Sequence, residues 1–396
     1  MFLFSACYNL KIMIYLDYSA TTPLDSRVMD AMSPYFSASF GNPSSVHRYG
    51  QAAEAAIDSA RETVASILNC RPDEIIFTSC GSESDNLALR GAAYAMRAKA
   101  GAKWILASRA EHPAITKTLL HLEKYEDFLI EWLDVNERGM VTPEIVAGAI
   151  CNDTAIVSVM YANNEIGTIN PIRELAGICR ANDILFHTDA VQAAAYLPVD
   201  VQSLGVDMMS LGSHKFYGPK GVGALYVRKG TPLISHLTGG GQEFSLRAGT
   251  QNVPYIVGFA EALKLTNEER DQRADHVRPL RDKIIGTVLE TIPDSQLTGD
   301  FESRLPHHAS FAFQNVDGNL LLTLLDAAGF ACSSGSACKT GNPEPSEVMN
   351  AIGLSRSWGL GSLRVTLGKD TLPEHVEKFL DALPQLVEKA RKLNHG

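Results

Sequence analysis

Short runs of consecutive apolar residues, each long enough for one strand, alternate along this chain with stretches of helical periodicity, and that alternation narrows the available folds more than anything else in it. The strand-like runs are 74–78 (EIIFT), 104–107, 155–160, 184–186, 207–211 and 224–227. They lack the polar-apolar alternation of a strand with one wet face, so both faces are covered. Between them, residues 51–68 place Ala53, Ala56, Ile57, Ala60, Val64, Ile67 and Leu68 at spacings of three and four, the pattern of an amphipathic helix. Helical patterns also begin at Asp85 and cover 173–181. The order predicts an α/β fold with a mostly parallel sheet sandwiched by helices. After Val257 the texture changes to a charged helical stretch (261–290), a strand-like 308–314 and a closing helix over 373–392, which predicts a smaller α+β domain. The expected division is 24–260 for the larger domain and 1–23 with 261–396 for the smaller.

At 396 residues, with 45% hydrophobic and 20% charged residues, the chain can bury a sizeable core. Its formal net charge of -10 and lack of a basic run argue against nucleic acid or an anionic membrane as a direct partner. The cysteines at 7, 70, 80, 151, 179, 332 and 338 are odd in number and never spaced CxxC, so neither a disulfide framework nor a self-contained metal site is predicted. That usage predicts a reduced, cytoplasmic protein. The apolar stretch 1–16 lacks a basic start and is interrupted by Asn9 and Lys11, which fits poorly with a signal peptide or membrane helix. Met13 directly precedes IYLDYSATTP, so 1–12 reads as an extension from an upstream start.

Four segments carry chemistry. The small-residue turn Thr78-Ser79-Cys80-Gly81-Ser82-Glu83-Ser84 between strand and helix reads either as an anion site of free amides or as a plain helix cap. Asp189, in His187-Thr188-Asp189, lies just past the carboxyl end of a buried strand, where open α/β sheets bind ligands. It could keep a pyridine nitrogen protonated or cap the following turn. Lys215 ends an apolar strand ahead of a glycine-rich turn, and reads as a desolvated amine suited to Schiff-base formation or as a solvated surface lysine. Cys338, in Ser333-Ser334-Gly335-Ser336-Ala337-Cys338-Lys339, reads as a displayed thiol beside a cation or as a small buried hydrophobe. A phosphate turn, then an acid, then a strand-end lysine are the parts that hold pyridoxal phosphate by three handles.

Ten segments in order, among them FGNPSSVHRYG (40–50), FTSCGSESDN (77–86), NNEIGT (163–168), HTDAVQA (187–193), SHKFYGPKGVGALYVR (213–228), RAGTQN (247–252) and SSGSAC (333–338), resemble the NifS/IscS-type cysteine desulfurases of aminotransferase class V. The resemblance covers nearly the whole chain. It implies a fold-type I pyridoxal-phosphate architecture, a homodimer, and conversion of L-cysteine to L-alanine with a persulfide left on the enzyme. Carried over, it implies that Lys215 bonds to the cofactor and moves the Cα proton, that His112 stacks over the ring, and that Asp189 pairs with the ring nitrogen. Gln192 would contact the ring hydroxyl, and Asn164 that hydroxyl or the substrate. Gly81, Ser82, His214 and Thr250 would hold the phosphate, Thr250 from the partner subunit. Arg364 would clamp the substrate carboxylate, and Cys338 would attack sulfur and carry it to an acceptor protein such as an iron-sulfur scaffold, with transient ligation of a shared cluster as a further role.

The sequence departs from the family pattern in three places. Gly212-Ser213 stands where Ser-Gly is usual, so the phosphate hydroxyl would come from Ser213 or be missing. Phe244-Ser245 replaces a usual Arg-Gly, and the chain ends at Gly396 without the longer tail of some members. Cys332 reads as a structural thiol in preference to a resolving one. A selenocysteine or C-S lyase that bypasses Cys338, and a non-catalytic adaptor, are the rival readings.

Overall fold

The structure, a computed structural model, describes residues 13–334 and 344–394. Its strands in chain order are β1 (Ile14–Tyr15), β2 (Ile75–Thr78), β3 (Trp104–Ser108), β4 (Leu129–Leu133), β5 (Thr154–Ser158), β6 (Leu185–Asp189), β7 (Met208–Gly212), β8 (Gly223–Val227), β9 (Ser295–Leu297), β10 (His308–Phe313), β11 (Phe330–Ala331) and β12 (Ser362–Thr366). One sheet has the order β2-β8-β7-β6-β5-β3-β4, with β8 antiparallel to both neighbours and every other pair parallel. A three-stranded antiparallel sheet, β12-β10-β9, and a parallel pair, β1-β11, complete the pairing. The mostly parallel sheet expected from the apolar runs is present. Strands β2, β5, β7 and β8 are buried along their whole length, as unalternated apolar runs require. Strand β4, at the sheet edge, alternates exposed and half-buried residues around Glu131 and was not visible as an apolar run.

Two boundaries differ from expectation. The helix expected from Asp85 begins at Gly81 and runs to Ala100, because the Glu83 carboxylate turns back to accept the Ser79 N–H at 2.7 Å and closes the first turn. No side chain at the cap position, Cys80, does so. The charged stretch after Val257 belongs to one continuous helix, Val253–Thr291, started by Asn252 accepting from the Tyr255 N–H. The division expected at residue 260 therefore falls inside a helix. Among the described residues, no helix is long and apolar enough to cross a membrane, and no cluster of three His, Cys, Asp or Glu side chains could hold a metal ion.

Glu243, Phe244 and Ser245 have φ of 44°, 57° and 64°, a left-handed turn of three non-glycine residues. Each such residue costs about 1–2 kcal/mol. The turn is held by the buried Glu243 carboxylate, which accepts from both Nη atoms of Arg61 (2.9 and 2.8 Å), from the Phe77 N–H (2.8 Å) and from the Gln251 side-chain amide. The Phe244 ring lies 5.1 Å from the Arg61 guanidinium carbon. One buried ion pair thus fastens the loop to β2. Replacing Glu243 by alanine strands the Arg61 charge, and we expect a loss of about 3–5 kcal/mol in urea unfolding. Ser245→Gly, which relieves the left-handed strain, should leave stability equal or raised.

Candidate active site

Strands β2, β3, β5, β6 and β7 run parallel, so their carboxyl ends open onto one edge of the sheet, and the chain leaving each one lines a single cavity of about 240 Å³. After β2 come Gly81 and Ser82, after β3 His112, after β5 Asn164, after β6 Asp189 and Gln192, and after β7 His214 and Lys215. Arg364, from the middle of β12 in the antiparallel sheet, closes the cavity.

Lys215 sits in a short 3-10 turn after β7, its Nζ donating to the carbonyls of Ser19 and Ala20, both at 2.7 Å. Burial, helped by the nearby Arg364 charge, brings its amine down to about 8, while Asp17 and Asp189 oppose that fall. The Gln192 side chain donates to the same Ser19 carbonyl at 2.9 Å. His112 caps the helix Pro113–Glu126 with Nδ1, which accepts the Ala114 N–H at 3.1 Å. Nδ1 therefore carries no proton in that arrangement, and a neutral ring carries it on Nε2. Burial lowers the His112 pKa, which favours the neutral ring.

Below the cavity lie three buried carboxyl groups. Asp189 accepts the Val191 N–H at 2.9 Å, which closes the turn that follows, and it also lines the cavity. Asp85, also lining the cavity, has an Oδ1 without a hydrogen-bond partner among the described residues, and Glu111 takes the Met160 N–H at 2.8 Å. Burial pushes Asp85 and Glu111 well above the carboxylate range, and the Asp189 charge pushes in the same direction. Burial raises Asp189 as well, while the Val191 N–H and the Lys215 charge act against that rise. On this floor Asp189 is the carboxyl group that neighbouring charge draws toward ionisation, while burial and the Asp189 charge favour the protonated form of Asp85 and Glu111. His187 beneath it is held by Ser158 and Ser210, both at 2.9 Å, and burial drops it to about 3, so it stays neutral.

Two expected cofactor residues lie elsewhere. The Ser213 hydroxyl is fully buried and has no hydrogen-bond partner among the described residues, and it packs so near Gly218 that a Cβ there would come within 1.9 Å of Oγ. It does not line the cavity, because the 3-10 turn that presents Lys215 points Ser213 into the core. Thr250 is exposed and outside the lining. Its segment is tied to the helix start at Gly81 by Arg247, whose Nε donates to Glu83 at 2.8 Å. Cys338 lies outside the described residues. Cys332 lies against the main hydrophobic core, where burial pushes its thiol up, in keeping with a structural role. Reading the sequence missed Ser19, Ala20, Cys80, Asp85, Met160 and Val191 as lining residues. Asp85 alone left a signal there: an acid on the apolar start of a helix.

The cavity fits pyridoxal phosphate. A Cβ on Gly81 would sit 2.7 Å from the Val191 side chain, so glycine lets the helix start drop into the cavity, with the unpaired first-turn amides available to an anion. Asp189 offers a carboxylate to a ring nitrogen, and Lys215 an amine with a lowered pKa to an aldehyde.

Comparison with known proteins agrees with this geometry. The family described as aminotransferase class-V matches residues 14–379. A cysteine desulfurase IscS of Dictyoglomus turgidum is 45% identical over 385 residues, 97% of each chain. A solved NifS-like protein superposes with a TM-score of 0.88 at 35% identity, covering 95% of this chain and 100% of that one. A structure of SspA in complex with cysteine superposes at 0.77 with 33% identity, covering 91% of this chain and 100% of that one. The chain belongs to the aminotransferase class-V family, among its pyridoxal-phosphate-dependent cysteine desulfurases of the NifS/IscS type.

Proposed function

We propose that this protein is a cysteine desulfurase that takes sulfur from L-cysteine, leaves L-alanine and passes a persulfide from Cys338 to an acceptor protein. The observation that carries the reading is the placement of Lys215, its amine at about 8, in one cavity with Asp189 and Arg364. An amine with that pKa can both take and return a proton near neutral pH.

Gly81, Ser82 and His214 would hold the cofactor phosphate, Asp189 its ring nitrogen, Gln192 its ring hydroxyl, and His112 would cover its face. When bound, pyridoxal phosphate supplies an electron sink for the pair left at Cα. Lys215 takes the Cα proton of cysteine. Arg364 binds the substrate carboxylate through paired N–H groups, which fixes the Cα–H bond toward Lys215, and Asn164 lies beside it. His112, neutral with its proton on Nε2, is a donor to the departing side of the substrate. The Cys338 thiolate attacks the substrate sulfur, so that an S–S bond forms as the C–S bond breaks and its electron pair returns to carbon. That last role rests on the SSGSAC segment alone.

A homodimer is supported by an exposed aromatic patch at residues 36–49. Phe40 and Tyr49 are 67% and 58% exposed with ring centres 5.5 Å apart, and Val46 is 91% exposed. Such a patch is a contact surface for another protein. Thr250, exposed here, would then serve the partner's phosphate site. The acceptor is a protein such as an iron-sulfur scaffold, and the setting is the cytoplasm.

Cys338→Ser should keep the cofactor absorbance and lose sulfide and alanine production from L-cysteine by about a hundredfold or more. Undiminished turnover would mean a lyase that bypasses the thiol. In cofactor-free protein, modification of Lys215 by an amine reagent should rise with a midpoint near pH 8, because burial lowers the amine to about 8. A midpoint near that of free lysine would remove the argument from desolvation.

A further inference from the structure

Arg364 is held from several directions before any ligand is considered. Its Nη1 donates to the Asn164 carbonyl at 2.9 Å and its Nη2 to Asp17 Oδ1 at 2.8 Å. Its backbone pairs with Ser333, the Arg364 N–H donating at 2.7 Å and the Ser333 N–H returning at 3.3 Å. The other oxygen of Asp17 accepts from the Ser333 hydroxyl at 2.7 Å. Both Asp17 oxygens are therefore spent on two different chain segments. The ion pair is largely buried, with 10% of the Arg364 side chain and 15% of the Asp17 side chain exposed. Nε of Arg364 is buried and has no hydrogen-bond partner among the described residues.

A guanidinium offers five coplanar N–H groups, and a carboxylate can bind two of them along one edge. Asn164 and Asp17 take one hydrogen each from Nη1 and Nη2. The Nη hydrogens that these two bonds leave form the edge open to a ligand, since Arg364 lines the cavity while its Nε is buried away from it. We propose that Asp17 is a positioning residue for substrate recognition: it orients the Arg364 guanidinium so that this edge is offered to the substrate carboxylate. The assignment rests on the reading of Arg364 as the carboxylate clamp. Asp17 does not touch the substrate and acts through Arg364. Its second contact, to Ser333, joins that orientation to the residue that opens the SSGSAC segment in the chain. Without the aspartate, the long arginine side chain regains rotamers that face away from the ligand, and the ordering cost falls on binding.

The test compares two ligands that differ only at the carboxylate, L-alanine and L-alaninamide, titrated into holoenzyme and followed by cofactor absorbance. The quantity read is the ratio of their affinities. In Asp17→Ala this ratio should fall about tenfold, with the L-alaninamide affinity unchanged. Equal weakening of both ligands would mean a merely structural role and would overturn the proposal, as would an unchanged or raised ratio. Should Asp17→Ala not fold, Asp17→Asn reads the same quantity: the amide keeps an acceptor for Nη2 but loses the charge, and the ratio should fall about threefold. An unchanged ratio in that variant overturns the proposal equally. Arg364→Lys separates the two levels of the argument. If it leaves the ratio at the wild-type value, the clamp reading itself fails; if it abolishes the preference for L-alanine while both Asp17 variants retain it, Asp17 alone is wrongly assigned.

Discussion

Two carbonyl oxygens, of Ser19 and Ala20, hold the Lys215 amine in a place where water does not reach it freely. A buried amine without such acceptors would lose its proton outright or turn toward solvent. With them it stays in the cavity, lowered but not neutralised. The same short segment receives Gln192 at the Ser19 carbonyl, bonds Ser19 N–H to Thr366, and carries Asp17 to Arg364. Residues from the parallel sheet and from the antiparallel one are thus both measured against residues 17–20. The cavity is a joint between two sheets, with that strand of chain as its common reference.

The electrostatics follow from this closure. Neutral His187 and the carboxyl groups of Asp85 and Glu111, whose burial favours the protonated form, lie beneath the cavity with Asp189, opposite Lys215 and Arg364. Burial does most of this sorting. Two ionised carboxylates at that depth would repel each other in a medium that screens poorly, which adds to the upward shift of Asp85 and Glu111. A negative charge on Asp189 is what a protonated ring nitrogen would need, and the Arg364 guanidinium is what the substrate carboxylate would need.

Much of this could be read in the sequence, and the reasons differ residue by residue. Strands buried on both faces are unbroken apolar runs, so β2, β3, β5, β6, β7 and β8 were visible without any partner in view. Asp189 and Lys215 were visible because each stands just past or at the end of such a run. Strand β4 was hidden because an edge strand half in water has no such run. Ser213 was misplaced because a hydroxyl's side of a 3-10 turn depends on the turn's rotation, which residue order does not state. Asp17 was passed over because its meaning lies in Arg364 and Ser333, more than three hundred residues away in the chain.

The helix Val253–Thr291 sets a mechanical limit on how that joint can move. Its 39 residues make a rod of about 58 Å, and it packs against β9 and β10 as well as against the helices Ser26–Met32 and Arg48–Leu68 and the turn that presents Lys215. A hinge between the sheets would have to bend this rod. The one interior proline, Pro279, gives up a backbone hydrogen bond and is the rod's weakest section. Pro279 lies between the part of the helix that meets the turn of Lys215, through Thr266, and the end that meets β9, at Val288, so the spacing of the Lys215 amine and the Arg364 guanidinium changes only as far as that section bends. With that section unbent, shape change during turnover falls to the side chains and connecting loops around the cavity.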